Sequence, residues 1–141
     1  MQSTQMRGNS GPRYKHVQGD ELPYESITVD KMTPIIGAEI AGVDLSRPLS
    51  NQMIDELHRA LAENSVIFFR DQTITPDQHL AFGRLWGDLH VHPAAPHEPG
   101  KPELMIIHAD KDSPRANGEG WHTDVSCDVE PPMSSILYIK T

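Results

Sequence analysis

Apolar residues recur along the chain with two different periods, and the period changes near residue 50. Before that point they alternate with small or polar residues over 27–29 and 35–40, which predicts two strands. After it the apolar positions follow a helical spacing, at Met53, Ile54, Leu57 and Leu61. This spacing predicts a helix that begins at Ser50 or Asn51, with either as the N-cap, and stops at Asn64.

The next apolar run, residues 66–69, predicts a short buried strand. Thr75, Pro76 and Gln78 then have the order of a helix start, with a capping threonine, a proline in the first turn and a glutamine that completes a capping box. That helix is expected to reach Trp86 and to stop at Gly87. Beyond it lie proline- and glycine-rich turns, interrupted by strand-like runs at residues 104–108 and 135–140.

These patterns suggest a flexible tail over residues 1–26 and one domain portion over residues 27–141. The tail has no continuous apolar stretch after its basic residues, so no secretory signal is expected, and no apolar run is long enough for a transmembrane helix. A strand-like run that ends at Thr141 would leave an unpaired strand edge. We therefore expect the sequence to be truncated.

Charge and cysteine content narrow the classes of partner. With 12 basic and 20 acidic residues, a net charge of −8, the chain is a poor candidate for binding nucleic acid or an anionic membrane surface. Its single cysteine, Cys127, excludes an internal disulfide framework and fits a reducing compartment, so a cytoplasmic location is expected. We interpret Cys127 as a small, half-buried side chain. The sequence leaves homo-oligomer formation open.

Two His-x-Asp pairs are the candidate chemistry: His108 with Asp110, and His122 with Asp124. On an extended strand such residues point to the same face and could bind one metal ion. An Fe(II) site of two histidines and one carboxylate would keep three positions open, whereas a zinc hydrolase usually keeps one. Because about one such pair is expected by chance in this composition, spacing alone leaves a purely structural role open for either.

Longer stretches carry a resemblance to a known family. They are residues 36–49, 66–72, 87–93 and 121–126, the last followed by Pro131 and Pro132. In this order and at these spacings they resemble the N-terminal half of the TauD/TfdA family of Fe(II)- and 2-oxoglutarate-dependent dioxygenases. The resemblance implies a mostly β fold with flanking helices (α+β), a double-stranded β-helix or jelly roll that is incomplete in this chain.

The resemblance also implies roles for particular residues. His122 and Asp124 correspond to the first two iron ligands, with Trp121 and Thr123 as packing neighbours, while His108 and Asp110 belong to a strand and its exit. His92 corresponds to a histidine that contacts the anionic group of the substrate, although His90 and His97 are close. The third iron ligand and the arginine that binds 2-oxoglutarate are expected beyond Thr141.

Two departures from the family pattern bear on the substrate. Ala95 stands where the taurine enzyme has a substrate-contacting tyrosine, and Gly118, with Asn117 one position away, stands where it has an asparagine. This argues against taurine itself, because a buried anion needs paired donors. The function implied is hydroxylation of a small anionic substrate, such as a sulfonate or sulfate ester, with Fe(II), 2-oxoglutarate and O2. The alternatives are a non-catalytic truncated domain or binding module, and a zinc or manganese hydrolase.

Overall fold

A computed structural model describes residues 22–93, 96–113 and 120–140. Their contacts divide the chain into two units. The first comprises the described residues up to Val43 together with Ser50–Arg70, and the second comprises Asp44–Leu49 and the described residues from Asp71 onward. Strands and helices occur in comparable amounts, in two small sheets and two helices, so the fold is mixed α and β rather than mostly β.

The first unit is a three-stranded sheet with one helix. Strand β1 (Thr28–Lys31) pairs antiparallel with β2 (Ala38–Ala41), which pairs parallel with β3 (Ile67–Phe69). The strand predicted over 35–40 begins only at Ala38, because the Thr33 side chain accepts the backbone N–H groups of Ile35 and Ile36 and closes a turn there.

Helix α1 (Asn51–Asn64) connects β2 to β3 and agrees with its predicted bounds. Ser50 is the N-cap, and its hydroxyl accepts the backbone N–H of Met53 at 3.2 Å. The apolar stripe buries Leu57 and Ala60, which are 1% and 0% exposed. The helix therefore contributes the centre of the core in this unit, as its apolar period predicts.

The segment before β1 is attached to α1 through the Glu56 carboxylate. That carboxylate accepts the backbone N–H groups of Glu25, Ser26 and Ile27 at 2.9, 3.0 and 3.1 Å. Tyr24 also donates a hydrogen bond to Glu63 at 2.7 Å. Residues 24–26, which the sequence assigned to the tail, are thus held by long-range contacts, whereas residues 1–21 lie outside the described part.

The second unit contains helix α2 (Pro76–Arg84) and a hairpin of β4 (His97–Glu98) and β5 (Lys101–Met105). Thr75 and Gln78 form the predicted capping box. The helix ends two residues before the predicted Trp86, with Leu85 as its C-cap. Gly100, with a φ of +73°, supplies the left-handed residue in the hairpin turn.

Two predicted strands in this unit differ from the structure. The strand predicted at 104–108 lies three residues earlier, at Lys101–Met105. Its pairing with β4 stops after the hydrogen bond from Ile106 N–H to the Pro96 carbonyl, because β4 does not extend beyond that point. Residues 135–140 pair with no strand among the described residues. Their alternation persists in burial, with Ile136 and Tyr138 half-buried and Leu137 and Ile139 exposed. Neither described helix is long and apolar enough to cross a bilayer.

Candidate metal centre

The second unit contains a cleft of about 530 Å³ beside α2 and the hairpin. Its polar lining includes both members of one His-x-Asp pair, His122 and Asp124, and three further histidines: His79, His90 and His92. Much of the remaining wall is apolar, formed by residues such as Leu80, Leu89, Leu104, Ile107 and Met133. The cleft therefore combines a candidate metal-binding pair with a hydrophobic wall, as small-molecule sites commonly do.

His122 and Asp124 meet in an irregular segment rather than on the strand that the spacing suggested. Their side chains are half-exposed, and His122 Nε2 lies 3.1 Å from Asp124 Oδ1. Two ligands bound at about 2.1 Å to one ion, at a right angle, are about 3 Å apart. The pair is therefore spaced as two adjacent ligands of one metal ion.

The hydrogen bond on the other ring nitrogen strengthens this assignment. Nδ1 of His122 lies 2.7 Å from the Gly120 carbonyl oxygen, which can only accept, so Nδ1 carries a proton. In a neutral imidazole Nε2 then presents a lone pair toward the carboxylate oxygen. Two lone pairs at 3.1 Å repel unless a cation lies between them, either a second ring proton or a metal ion. Orientation of a metal-ligating histidine by a backbone carbonyl is common in metal sites.

Asp124 is oriented by a residue that the sequence did not identify. The Ser135 hydroxyl donates a hydrogen bond to Asp124 Oδ2 at 2.6 Å, while Oδ1 faces His122. The two residues are eleven positions apart, and no local pattern marks Ser135 as a partner. A series of polar contacts therefore connects the Gly120 carbonyl, His122, Asp124 and Ser135.

Within the described ranges, no third His, Cys, Asp or Glu completes a metal-binding group. His90, another histidine of the cleft lining, lies beside Asp128, with 3.9 Å between Nε2 and Oδ2. The described residues therefore supply two ligands. That the third ligand lies elsewhere in the protein stays a prediction.

The histidines proposed for substrate binding separate into two groups. His90 and His92 line the cleft, with ring centroids 6.4 Å apart, whereas His97 is absent from the lining and its Nε2 lies 2.9 Å from the His92 carbonyl oxygen. The substrate role of His92 stays a prediction, and its position in the cleft is compatible with that role. Ala95 and Gly118 lie outside the described residues.

The competing pair, His108 and Asp110, lies outside the cleft lining. Its ring nitrogen and carboxylate oxygen are 3.5 Å apart, and the His108 side chain is mostly exposed. Asp110 accepts hydrogen bonds from Ser113 and from the backbone of Asp112, and these bonds, with a contribution from His108, lower its pKa. The carboxylate closes a turn, which favours the structural interpretation of this pair.

Four residues of this unit differ from expectation or were missed. Trp121, predicted to be a packing residue, is fully exposed, and Cys127 is exposed rather than half-buried. Thr123 bonds its hydroxyl to that of Ser126. His79 on α2 was not singled out by the sequence, yet it lines the cleft, and burial lowers its pKa against the opposing effect of a hydrogen bond to the Ile136 backbone.

Comparison with known proteins shows the family of this chain. Residues 28–141 match the model of the family described as taurine catabolism dioxygenase TauD, TfdA family. The chain belongs to this family. The sequence stretches that resemble the TauD/TfdA family therefore identified the family correctly.

Two curated relatives are named for action on sulfonates or sulfate esters. An alpha-ketoglutarate-dependent sulfonate dioxygenase of Saccharomyces cerevisiae is 36% identical over 124 residues, which cover 80% of this chain and 30% of that protein. An alpha-ketoglutarate-dependent sulfate ester dioxygenase of Pseudomonas putida is 40% identical over 103 residues, covering 72% of this chain and 33% of that protein. The chain thus spans about a third of the length of these relatives.

Solved structures show the same relationship. The crystal structure of a taurine dioxygenase from Burkholderia xenovorans is 37% identical, with a TM-score of 0.62, over 77% of this chain and 38% of that one. The mixed α and β arrangement described above is therefore similar to part of a taurine dioxygenase fold.

Proposed function

We propose that the protein containing these residues is an Fe(II)- and 2-oxoglutarate-dependent dioxygenase that hydroxylates a small anionic organic substrate. The observation that carries the proposal is the His122 and Asp124 pair, whose facing atoms are 3.1 Å apart in a cleft large enough for a small molecule. Family membership supports the choice of Fe(II) over zinc or manganese. The proposed complete fold is a double-stranded β-helix, to which the described residues contribute one part.

The donor set fits this metal. One imidazole nitrogen and one carboxylate oxygen are two thirds of the two-histidine, one-carboxylate set that binds Fe(II) in oxygenases. His122 and Asp124 would hold the ion, and a histidine from elsewhere in the protein would complete the set. When bound, Fe(II) with 2-oxoglutarate and O2 supplies the oxidant for an unactivated C–H bond, with succinate and carbon dioxide as co-products.

The cleft supports a sulfate ester or alkyl sulfonate as the substrate. His92 and His90 can donate hydrogen bonds from ring N–H groups to an anionic head group. The apolar wall that includes Leu104, Ile107 and Met133 suits an alkyl chain better than the ammonium group of taurine. The reactive carbon would be the one beside the sulfur-containing group, so hydroxylation there would release an aldehyde together with sulfate or sulfite.

The remaining tasks of these residues are orientation and exclusion of water. The Gly120 carbonyl fixes the tautomer of His122, and Ser135 fixes one oxygen of Asp124. The apolar wall would exclude water from the bound alkyl chain, which protects the oxidant from unproductive reactions. For the location of the protein we propose the cytoplasm, supported by the single cysteine in the sequence.

The test is turnover by the protein as its source makes it. Purified protein would be given Fe(II), 2-oxoglutarate and air with each of an alkyl sulfate ester, an alkyl sulfonate and taurine. We expect loss of 2-oxoglutarate, and formation of succinate and aldehyde, that require Fe(II), O2 and one of the first two substrates. His122→Ala and Asp124→Ala should each abolish turnover without loss of the fold, as judged by circular dichroism.

His108→Ala is the matched control, because it removes the same ring from a His-x-Asp pair outside the cleft. It should keep wild-type turnover. Equal loss in all three variants would refute the ligand assignment. Hydrolysis of a sulfate ester under nitrogen would favour a metal hydrolase, and metal binding without turnover of any substrate would favour a binding module.

A further inference from the structure

We infer that Ser135 is a positioning residue for the metal centre: its hydroxyl holds Asp124 so that one carboxylate oxygen is presented to the metal. The inference deepens the proposed function and rests on it. It begins from the 2.6 Å hydrogen bond between Ser135 Oγ and Asp124 Oδ2, and from the opposite placement of Oδ1, which faces His122. Ser135 is thus hydrogen-bonded directly to Asp124, the proposed metal ligand.

The Asp124 side chain needs such a partner because little else restrains it. It is about half-exposed, and an aspartate in that setting can rotate about both side-chain bonds. Its only other hydrogen bond or ion pair among the described residues is with His122, which would bind the same ion. Hydrogen bonds to a ligating carboxylate orient it, and removing such partners typically costs about 10- to 100-fold in metal affinity or activity.

Ser135 is itself held in place by the residues that follow it. The ring of His79 on α2 lies edge-on to the ring of Tyr138, three residues after Ser135, with centroids 6.2 Å apart. The Tyr138 hydroxyl donates to the Gln72 carbonyl at 3.2 Å and accepts the Ile74 backbone N–H at 3.4 Å. The segment from Ser135 to Tyr138 is therefore fastened to α2 and to the loop before it, and Ser135 transmits that placement to Asp124.

The arrangement has a consequence for the coordination of the metal. Oδ2 is engaged by Ser135 and Oδ1 faces His122, so Asp124 would hold the metal through Oδ1 alone. A three-ligand Fe(II) site must keep its other positions for co-substrate and O2. A serine in this position prevents the carboxylate from occupying one of them with its second oxygen.

The experiment measures metal binding, not turnover, in the protein as its source makes it. The dissociation constant for Co(II), an oxygen-stable probe, would be determined by competition with a chelator for wild type and four variants. Ser135→Ala removes the hydroxyl. Ser135→Thr and Ser135→Val have the same shape and differ only in a hydroxyl, so any disturbance from the added methyl group is common to both. Ser134→Ala is the neighbouring control, since it removes a hydroxyl from the adjacent serine, whereas the hydrogen bond to Asp124 comes from Ser135.

We expect Ser135→Ala and Ser135→Val to bind Co(II) at least about 10-fold more weakly than wild type. Ser135→Thr should stay within about threefold of wild type, and Ser134→Ala should not change binding. If Ser135→Ala is poorly folded, the comparison of the Thr and Val variants decides. Equal affinities of those two variants, with wild type binding the metal, would overturn the positioning role alone. Wild-type protein that binds no Co(II) would overturn the proposed metal centre and this inference with it.

Discussion

Glu56 provides a test of how the first unit is held together, through the substitution Glu56→Gln. Its carboxylate is buried and accepts four hydrogen bonds from the segment before β1: the backbone N–H groups of Glu25, Ser26 and Ile27, and the Ser26 hydroxyl. Oε1 accepts the first N–H, and Oε2 accepts the other two and the hydroxyl. A glutamine amide in either orientation places its NH2 group against at least one backbone N–H, so the substitution replaces attraction with a clash of donors.

The size of the expected stability loss follows from the pKa of the Glu56 carboxyl group. Burial alone would raise the pKa, but the hydrogen bonds outweigh it and lower the pKa of Glu56 from 4.5 to about 2. That difference corresponds to at most about 3 kcal/mol in favour of the ionised form. Glu25 is exposed and its N–H can bind water instead, whereas Ile27 is 5% exposed and its N–H cannot. We therefore expect Glu56→Gln to cost about 2 kcal/mol.

Amide hydrogen exchange measures this cost at the residues concerned. A loss of about 2 kcal/mol should speed the exchange of the Ile27 amide about 30-fold at pH 7. Asp55→Asn is the matched control, because Asp55 is the neighbouring acidic residue on α1 and is exposed. Exchange of Ile27 within about threefold of wild type in Glu56→Gln would refute the reasoning.

The pH dependence of stability provides an independent check that the ionised Glu56 carboxylate is stabilising. Because the folded-state pKa is lowered, the stabilisation by Glu56 is fully present above about pH 4.5 and is lost as pH falls toward 2. The difference between wild type and Glu56→Gln should therefore shrink over that window. A difference that stays constant down to pH 2 would contradict the assigned role of the charge.

Two further substitutions test the core and a helix cap. Leu57→Ala removes a side chain that is 1% exposed and should lower the free energy of unfolding by about 2–5 kcal/mol in chemical denaturation, whereas a loss below 1 kcal/mol would mean that the site collapses around the cavity. Thr75→Ala removes the hydroxyl that accepts the Gln78 N–H and should cost about 1 kcal/mol in the same assay, with Thr75→Ser near wild type. Equal losses in the alanine and serine variants would show that the cap does not act through its hydroxyl.

The sequence by itself determined the features that depend on near neighbours in the chain. The bounds of α1 and the capping box of Thr75 and Gln78 were predicted correctly, and the N-cap Ser50 is one of the two candidates that the sequence offered. Helix period and capping are set by residues within four positions of each other. Family membership also came from the sequence, since ordered motifs need no tertiary information. The proximity of His122 and Asp124 is likewise a consequence of their spacing, although they lie in an irregular segment and not on the predicted strand.

Only the tertiary structure decided which distant residues meet. The bonds from Glu56 to residues 25–27 span about thirty positions, and the bond from Ser135 to Asp124 spans eleven. Sequence spacing does not predict either of these contacts, because they depend on the path of the whole chain. The strands predicted at 104–108 and 135–140 failed for the same reason. The first is displaced and the second pairs with no strand among the described residues, because strand pairing is a long-range hydrogen-bonding choice that depends on where a partner strand lies.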